Sequence, residues 1–241
     1  LIEVHDSGSL RVAATDLDVT YDGNLSCRCV EPGRITVDAK RLFDVVKSLP
    51  GEEVDLEVAD EDRVMIRCKN TEFMLLGIAA DTYPPLPDTS SVNLIPLDGI
   101  AFRELLERTM LSICNEDSRP NLNGVFFKCV GEGRVRMVST DGHRLSQGER
   151  SLARDADIPE REGVIIPKKG VTELKRLLEE GGREVSFGFL DNNLVVAGAN
   201  MSLFIRLIDA AFPDYRQVIP KSSERIVVLD RVPFLSSLKR I

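Results

Sequence analysis

The chain contains no tryptophan, three tyrosines and two histidines among 241 residues. So little aromatic surface leaves few platforms for stacking unpaired bases, which disfavours single-strand and base-reading modules. Its five cysteines, Cys27, Cys29, Cys68, Cys114 and Cys129, form no Cys-x-x-Cys pair, and His5 and His143 do not complete a metal-site spacing with them. The odd count fits reduced thiols better than a disulfide framework. Cys27 and Cys29, two apart in a strand-like run, read as packing residues on one sheet face. No apolar run approaches the ~20 residues that span a bilayer, and the opening LIEVHDSGSLRV lacks the pattern of a secretory leader. These absences point to a cytoplasmic protein with no metal and no cofactor. They also bear on dinucleotide binding, since no Gly-x-Gly-x-x-Gly follows a strand-like run.

What is present is a repeat. Arg11-Val12-Ala13-Ala14-Thr15-Asp16 returns as Arg136-Met137-Val138-Ser139-Thr140-Asp141. Ile35-Thr36-Val37-Asp38-Ala39-Lys40 and its amphipathic helix return, at nearly the same offset, as Ile165-Ile166-Pro167-Lys168-Lys169 and the helix that follows. Tyr83-Pro84-Pro85 likewise pairs with Phe212-Pro213-Asp214, and Leu97-Asp98 begins a third copy at Leu229-Asp230. The first copy lacks the helix with which the second begins and the third stops at Ile241, so material is expected to be missing at both ends.

Within the middle copy, about 92–221, each half reads as a short strand, one helix and three strands. Phe102, Leu105, Leu106, Thr109, Met110 and Ile113 fall on one helical stripe. Strands are expected near 123–130, 134–140 and 144–149, then near 184–189, 193–198 and 202–208, with Asp191-Asn192-Asn193 as a hairpin turn. The resulting fold class is α+β, with repeated βαβββ units that place helices on one face and antiparallel sheets on the other.

Charge is divided unevenly between those faces. The net charge is −8, from 31 basic and 39 acidic residues, yet the helical segments 38–49, 98–113, 167–180 and 230–241 hold 12 basic against 9 acidic. Helices favour Lys, Arg and Glu in any protein. Repetition gives the excess a second meaning: Lys40, Arg41 and Lys47, then Lys168, Lys169, Lys175 and Arg176, then Arg231, Lys239 and Arg240 would line one concave basic surface. Non-specific duplex binding has a dissociation constant of roughly 10⁻⁴ to 10⁻⁶ M. A protein with an acidic exterior would hold DNA by enclosing it rather than by affinity.

The motifs Thr15-Asp16-Leu17-Asp18, Leu122-Asn123-Gly124, Thr140-Asp141-Gly142-His143-Arg144-Leu145, Ile166-Pro167-Lys168-Lys169-Gly170 and Phe212-Pro213-Asp214-Tyr215-Arg216 resemble, in order and spacing, the bacterial DNA polymerase III beta subunit, or DNA sliding clamp. The likeness covers essentially the whole chain. It implies the DNA clamp fold, with 1–90 as the C-terminal part of clamp domain 1, 91–221 as a complete domain 2, and 222–241 as the start of domain 3. It further implies a homodimeric ring around duplex DNA, with no catalysis. Clients would be the polymerase III catalytic subunit, the clamp loader, repair polymerases and other clamp-motif proteins, held in a peptide pocket of Leu122, Thr140, Gly142, His143, Arg144, Leu145, Pro213 and Val218. Gln217 stands where arginine often follows Tyr215-Arg216. DNA contacts would map onto Lys168, Lys169, Arg119 and Lys40, and the dimer interface onto an edge strand carrying Phe73 and Leu75.

Other readings of the same residues are weaker. Ser139, Asp141 and His143 could be assembled into a hydrolytic set, but nucleophile, base and orienter normally converge from separate segments, and no Gly-x-Ser-x-Gly turn accompanies them. Asp16, Asp18 and Asp22 lack the glycine and terminal glutamate of an EF-hand loop. The runner-up is a peptide-binding repeat scaffold that does not encircle DNA.

Overall fold

Local chemistry fixes where each helix begins. Asp98 accepts hydrogen bonds from the amides of Ile100 and Ala101 at 3.0 and 3.1 Å, starting α2 (Gly99–Thr109). Asp38 does the same for α1 (Ala39–Ser48), through the Arg41 amide at 2.8 Å. Residues 1–241 are described in this computed structural model, apart from 60–61, 90–91, 117, 153–161, 181–183, 221, 223–224 and 241.

The middle copy follows the expected order. It consists of β8 (Ile95–Asp98), α2, β9 (Gly124–Cys129), β10 (Arg134–Thr140) and β11 (Leu145–Ser151), then β12 (Val164–Pro167), α3 (Lys168–Glu180), β13 (Glu184–Leu190), β14 (Asn193–Ala197) and β15 (Met201–Arg206). The first copy supplies β1 (Ile2–His5), β2 (Ser9–Thr15), β3 (Val19–Ser26), β4 (Gly33–Val37), α1, β5 (Asp55–Ala59), β6 (Arg63–Cys68) and β7 (Thr71–Ile78). At the end lies α4 (Arg231–Leu238), exposed throughout.

Two sheets result. One has the order β11-β10-β9-β12, and the other runs β5-β6-β7-β4-β1-β2-β3-β15-β14-β13-β8, every described pairing being antiparallel. The long sheet joins the two copies edge to edge, with Val19 opposite Ile205 and Gly23 opposite Met201.

Helices α2 and α3 pack side by side over the inner faces of both sheets. Phe102, Leu105 and Leu106 of α2 and Val171 and Leu174 of α3 meet Phe127 and Met137 from the short sheet and Leu194, Val196 and Ile205 from the long one. Each is buried to within about 1%, and full burial of such a side chain contributes roughly 1.5–3 kcal/mol relative to exposure. A smaller cluster of Ile2, Ile35, Val64 and Ile66 serves the first copy.

The placement of Phe73 and Leu75 differs in part from expectation. Their strand β7 runs along β6, but it meets β4 only at Gly77 and Ile78, so Thr71–Leu76 pairs on one side alone among the described residues. Both side chains turn inward onto the Ile35, Val64 and Ile66 cluster, whereas Met74 and Leu76 face outward, 57% and 71% exposed. The free edge is present; the residues named for it are its inner backing.

Candidate functional site

Alternation along β9 and β10 divides the short sheet into two working faces. Val125, Phe127, Val135 and Met137 point inward to the helices, which leaves Phe126, Arg136 and Val138 on the outer face. The chain after β15 crosses that outer face. Phe212 stacks on Phe126 with ring centroids 4.9 Å apart, and the buried Tyr215 lies 6.2 Å from the same ring. Glu149 anchors the sheet below by accepting from Arg136 Nε and Arg134 Nη1, both at 2.8 Å. The Arg136 pKa is raised, first by Glu149 and then by the Tyr215 hydroxyl.

Beyond Tyr215 the crossing segment forms one wall of an open cleft of about 440 Å³, lined by Leu145, Gln147, Val218, Ile219 and Pro220. Four apolar side chains and one amide suit an apolar peptide anchor with a polar neighbour. Of the eight residues expected here, Leu145 and Val218 line the cleft. Leu122 is buried at 8% exposure in a 3₁₀ turn, and the exposed Pro213 accepts from the Tyr215 amide.

Thr140, Gly142, His143 and Arg144 form the turn leading to Leu145. Asp141 Oδ1 accepts from the amides of His143 and Arg144, both at 2.9 Å, and its Oδ2 accepts from Arg144 Nε at 2.9 Å. These bonds, led by the Arg144 and His143 amides, hold the Asp141 pKa down to about 2. Ser139 is fully buried and donates to the Thr109 carbonyl, which removes it from the hydrolytic reading. Gln217 donates from its amide to Asp214 at 3.1 Å, steadying the cleft wall.

Three wall residues went unnamed in the sequence reading: Gln147, Ile219 and Pro220. The two-residue step from Leu145 along one strand face pointed to Gln147, and chain continuity from Val218 pointed to the others.

The basic residues separate. Lys168 and Lys169 are exposed at the start of α3; Lys168 donates to Asn115 Oδ1, and Lys169 pairs with Asp16. Lys40 is exposed in the first turn of α1. Arg119 departs from this group: it pairs with Glu116 at 3.4 Å and donates to the Asp141 carbonyl at 3.5 Å, against the turn beside the cleft. On α2 and α3 the expected excess of positive charge is largely neutralised. Arg103 with Glu107, Arg108 with Glu104, Lys175 with Glu107 and Glu179, Arg176 with Glu173, and Lys169 with Asp16 leave Lys168 alone among the six cations of α2 and α3 outside a described ion pair. Among the described residues no helix is long and apolar enough to cross a membrane, and no cluster of three or more His, Cys, Asp or Glu could hold a metal.

Residues 1–87 match the family profile described as DNA polymerase III beta subunit, N-terminal domain, and 96–214 match that of the central domain. A Beta sliding clamp of Pseudomonas putida is 33% identical over 233 residues, 96% of this chain and 62% of that protein. That of Escherichia coli K12 is also 33% identical, over 93% of this chain and 60% of the relative. The crystal structure of a C. crescentus beta sliding clamp superposes with a TM-score of 0.90 at 30% identity, over all of this chain and 64% of that one. A Pseudomonas aeruginosa DNA polymerase III subunit beta gives 0.88 at 30% identity, over 99% and 64%. The chain thus spans about three fifths of the length of the curated relatives it matches.

Proposed function

The chain belongs to the DNA polymerase III beta subunit family, and from that premise we propose that it is the greater part of a ring-shaped clamp that encircles duplex DNA and tethers replication and repair proteins. One observation carries this reading: the two copies join by continuing one sheet across their boundary, with helices kept to its inner side. Successive modules joined in this way turn a sheeted wall outward and a helical wall inward. The division into a partial first domain, a complete second and the start of a third follows the same repeat.

The dimer proposed for the full-length protein rests on β7. In the repeat, its stretch Thr71–Leu75 corresponds to Met201–Ile205 of β15, the stretch that pairs with β3 of the neighbouring copy. A second subunit would supply the missing neighbour, with Phe73 and Leu75 supporting the strand from inside.

The outer cleft would take the short clamp-binding motifs of the polymerase III catalytic subunit, the clamp loader and repair polymerases. Leu145 and Val218 would seat the apolar side chains. Tethering replaces a bimolecular search with an effective concentration that reaches the millimolar range, ~10⁻³ M. Lys168, and Lys169 once freed from Asp16, would meet backbone phosphate, with Lys40 adding a contact from the first module. Weak contacts of this kind permit sliding, and the role requires no chemical step.

The near-neutral surface of α2 and α3 favours one competing reading, a peptide-binding scaffold that never encloses DNA. The test is retention of the full-length protein after loading on circular duplex. Loss of retention on linearisation supports enclosure; equal retention on both forms rejects it in favour of the scaffold.

A further inference from the structure

We propose that Asp16 is a positioning residue for DNA contact, holding Lys169 across the seam between the first and second modules and competing with backbone phosphate for it. The inference rests on the DNA reading above and adds a control element to it.

The turn that carries Asp16 is a copy of the turn beside the cleft. Thr15 Oγ1 accepts from the Leu17 amide, as Thr140 Oγ1 does from Gly142, both at 3.1 Å. Asp16 Oδ1 accepts from the amides of Asp18 and Val19, as Asp141 Oδ1 does from those of His143 and Arg144. The two turns part at the second carboxylate oxygen. Asp141 directs it to Arg144 within its own turn. The first turn has Val19 in that place, an apolar residue, and Asp16 Oδ2 binds Lys169 Nζ instead, 153 residues away in the chain.

Backbone structure brings the two together. Val19 is the β3 residue opposite Ile205, and the amide of Arg206 donates to the Asp18 carbonyl at 2.8 Å. On the other side, Gly170 brings the first turn of α3 so close to the Ile205 side chain that a Cβ there would overlap it. The Asp16 turn and the α3 N-terminus are therefore fixed on either side of one strand pair. Burial alone would raise the Asp16 pKa, but Lys169 and the amides of Val19 and Asp18 outweigh it and the net shift is downward, so the aspartate stays charged.

Both partners are about half exposed, at 49% each, and an exposed pair is weak enough for a phosphate to displace. Lys168, one residue earlier, donates to the neutral amide of Asn115 and has no ion pair among the described residues. One lysine of the doublet then faces a neutral partner and the other a charged one, which lowers the number of phosphate contacts held at one time and favours sliding over arrest.

The test is the salt dependence of binding to a fluorescein-labelled short duplex, followed by anisotropy for wild type, Asp16→Asn, Lys169→Ala and the double variant. Asparagine keeps the oxygen that caps Asp18 and Val19, so the turn survives while the charge is lost. Asp16→Asn is expected to tighten binding about three- to tenfold at low salt and to steepen the log–log salt slope by about one. Lys169→Ala and the double variant should then bind alike. A wild-type slope in Asp16→Asn, or equal tightening with and without Lys169, overturns the inference while leaving DNA binding intact. Absence of any salt-dependent duplex binding in wild type would remove the DNA reading itself, and the inference with it.

Discussion

Gly142 and Leu17 hold the same place in two copies of one turn, with φ of 90° and 76°. An L residue adopts that conformation at a steric cost of about 1–2 kcal/mol. Gly142→Ala is therefore expected to destabilise the protein by about 1–2 kcal/mol, lowering Tm by roughly 2–4 °C per kcal/mol in calorimetry. Leu17→Gly should be neutral or stabilising by about 0.5 kcal/mol, because relief of strain exceeds the extra entropy of the unfolded chain. Equal losses in both variants would contradict the shared turn geometry. The neighbouring Asp141 sets a pH limit on the turn. Its folded pKa of about 2 lies below the ordinary 3.8, so its stabilising contribution is complete above that ordinary value and fades as pH falls toward 2. NMR titration of the carboxyl carbon and the His143 and Arg144 amides should show a midpoint near 2, and one near the ordinary value would mean that the amides do not hold it. At the cleft, Leu145→Asp puts a charge into an apolar wall and is expected to weaken a glutamine-aliphatic-aromatic peptide by at least about tenfold in anisotropy. Unchanged binding would remove Leu145 from the peptide site.

At the scale of elements, the segment from Phe212 to Pro220 owes its course to aromatic stacking rather than to a ladder of backbone hydrogen bonds. Phe212→Ala removes the half-buried ring stacked on Phe126 and should cost about 2 kcal/mol. Peptide affinity is expected to fall with it while hydrogen exchange in β9, β10 and α2 stays protected, since the inner core does not depend on this ring. Loss of protection throughout would mean that the segment is part of the core. The helices and strands of the middle copy were legible in the sequence because their apolar periods are clean and Asp98 marks the start of α2. The inward direction of Phe73 and Leu75 was not legible, for Phe73-Met74-Leu75-Leu76 is apolar on both faces and a period of two carries no sign there. Arg119 likewise gave no hint in sequence of turning to the Asp141 carbonyl, and neither Lys169 nor Lys175 gave one of pairing with Asp16 or Glu107, because those contacts join elements far apart in the chain; the other pairs on α2 and α3 lie three or four residues apart on one helix. Of the cleft, the turn and two wall residues were legible; Gln147 follows Leu145 on one face of β11, and Ile219 and Pro220 follow from where the crossing segment lands.

At the scale of the molecule, the proposed closure would depend on the side of β7 that is unpaired among the described residues, and the repeat specifies which backbone groups lie there. In β15 the Arg206 amide donates across the seam to Asp18, while the Leu207 amide donates back to Asn192. The Gly77 amide donates to Asp62 in the same way as Leu207, which sets Gly77 against Leu207 and fixes the register between the two strands. Even-numbered residues of β15 therefore face the neighbouring module, and their counterparts Glu72, Met74 and Leu76 point their amides to the free side. Proline is tolerated in a strand only where its missing N–H faces away from the ladder. Met74→Pro should therefore leave the first module folded, because the bonds to β6 are kept, yet convert a dimeric full-length protein to monomer in analytical ultracentrifugation. Leu75→Pro removes a bond to β6 and should unfold the module, while Met74→Ala should leave the dimer intact because the outward side chain is not what pairs. A Met74→Pro protein that remains fully dimeric would place the subunit contact elsewhere, and the ring would have to close through a different edge.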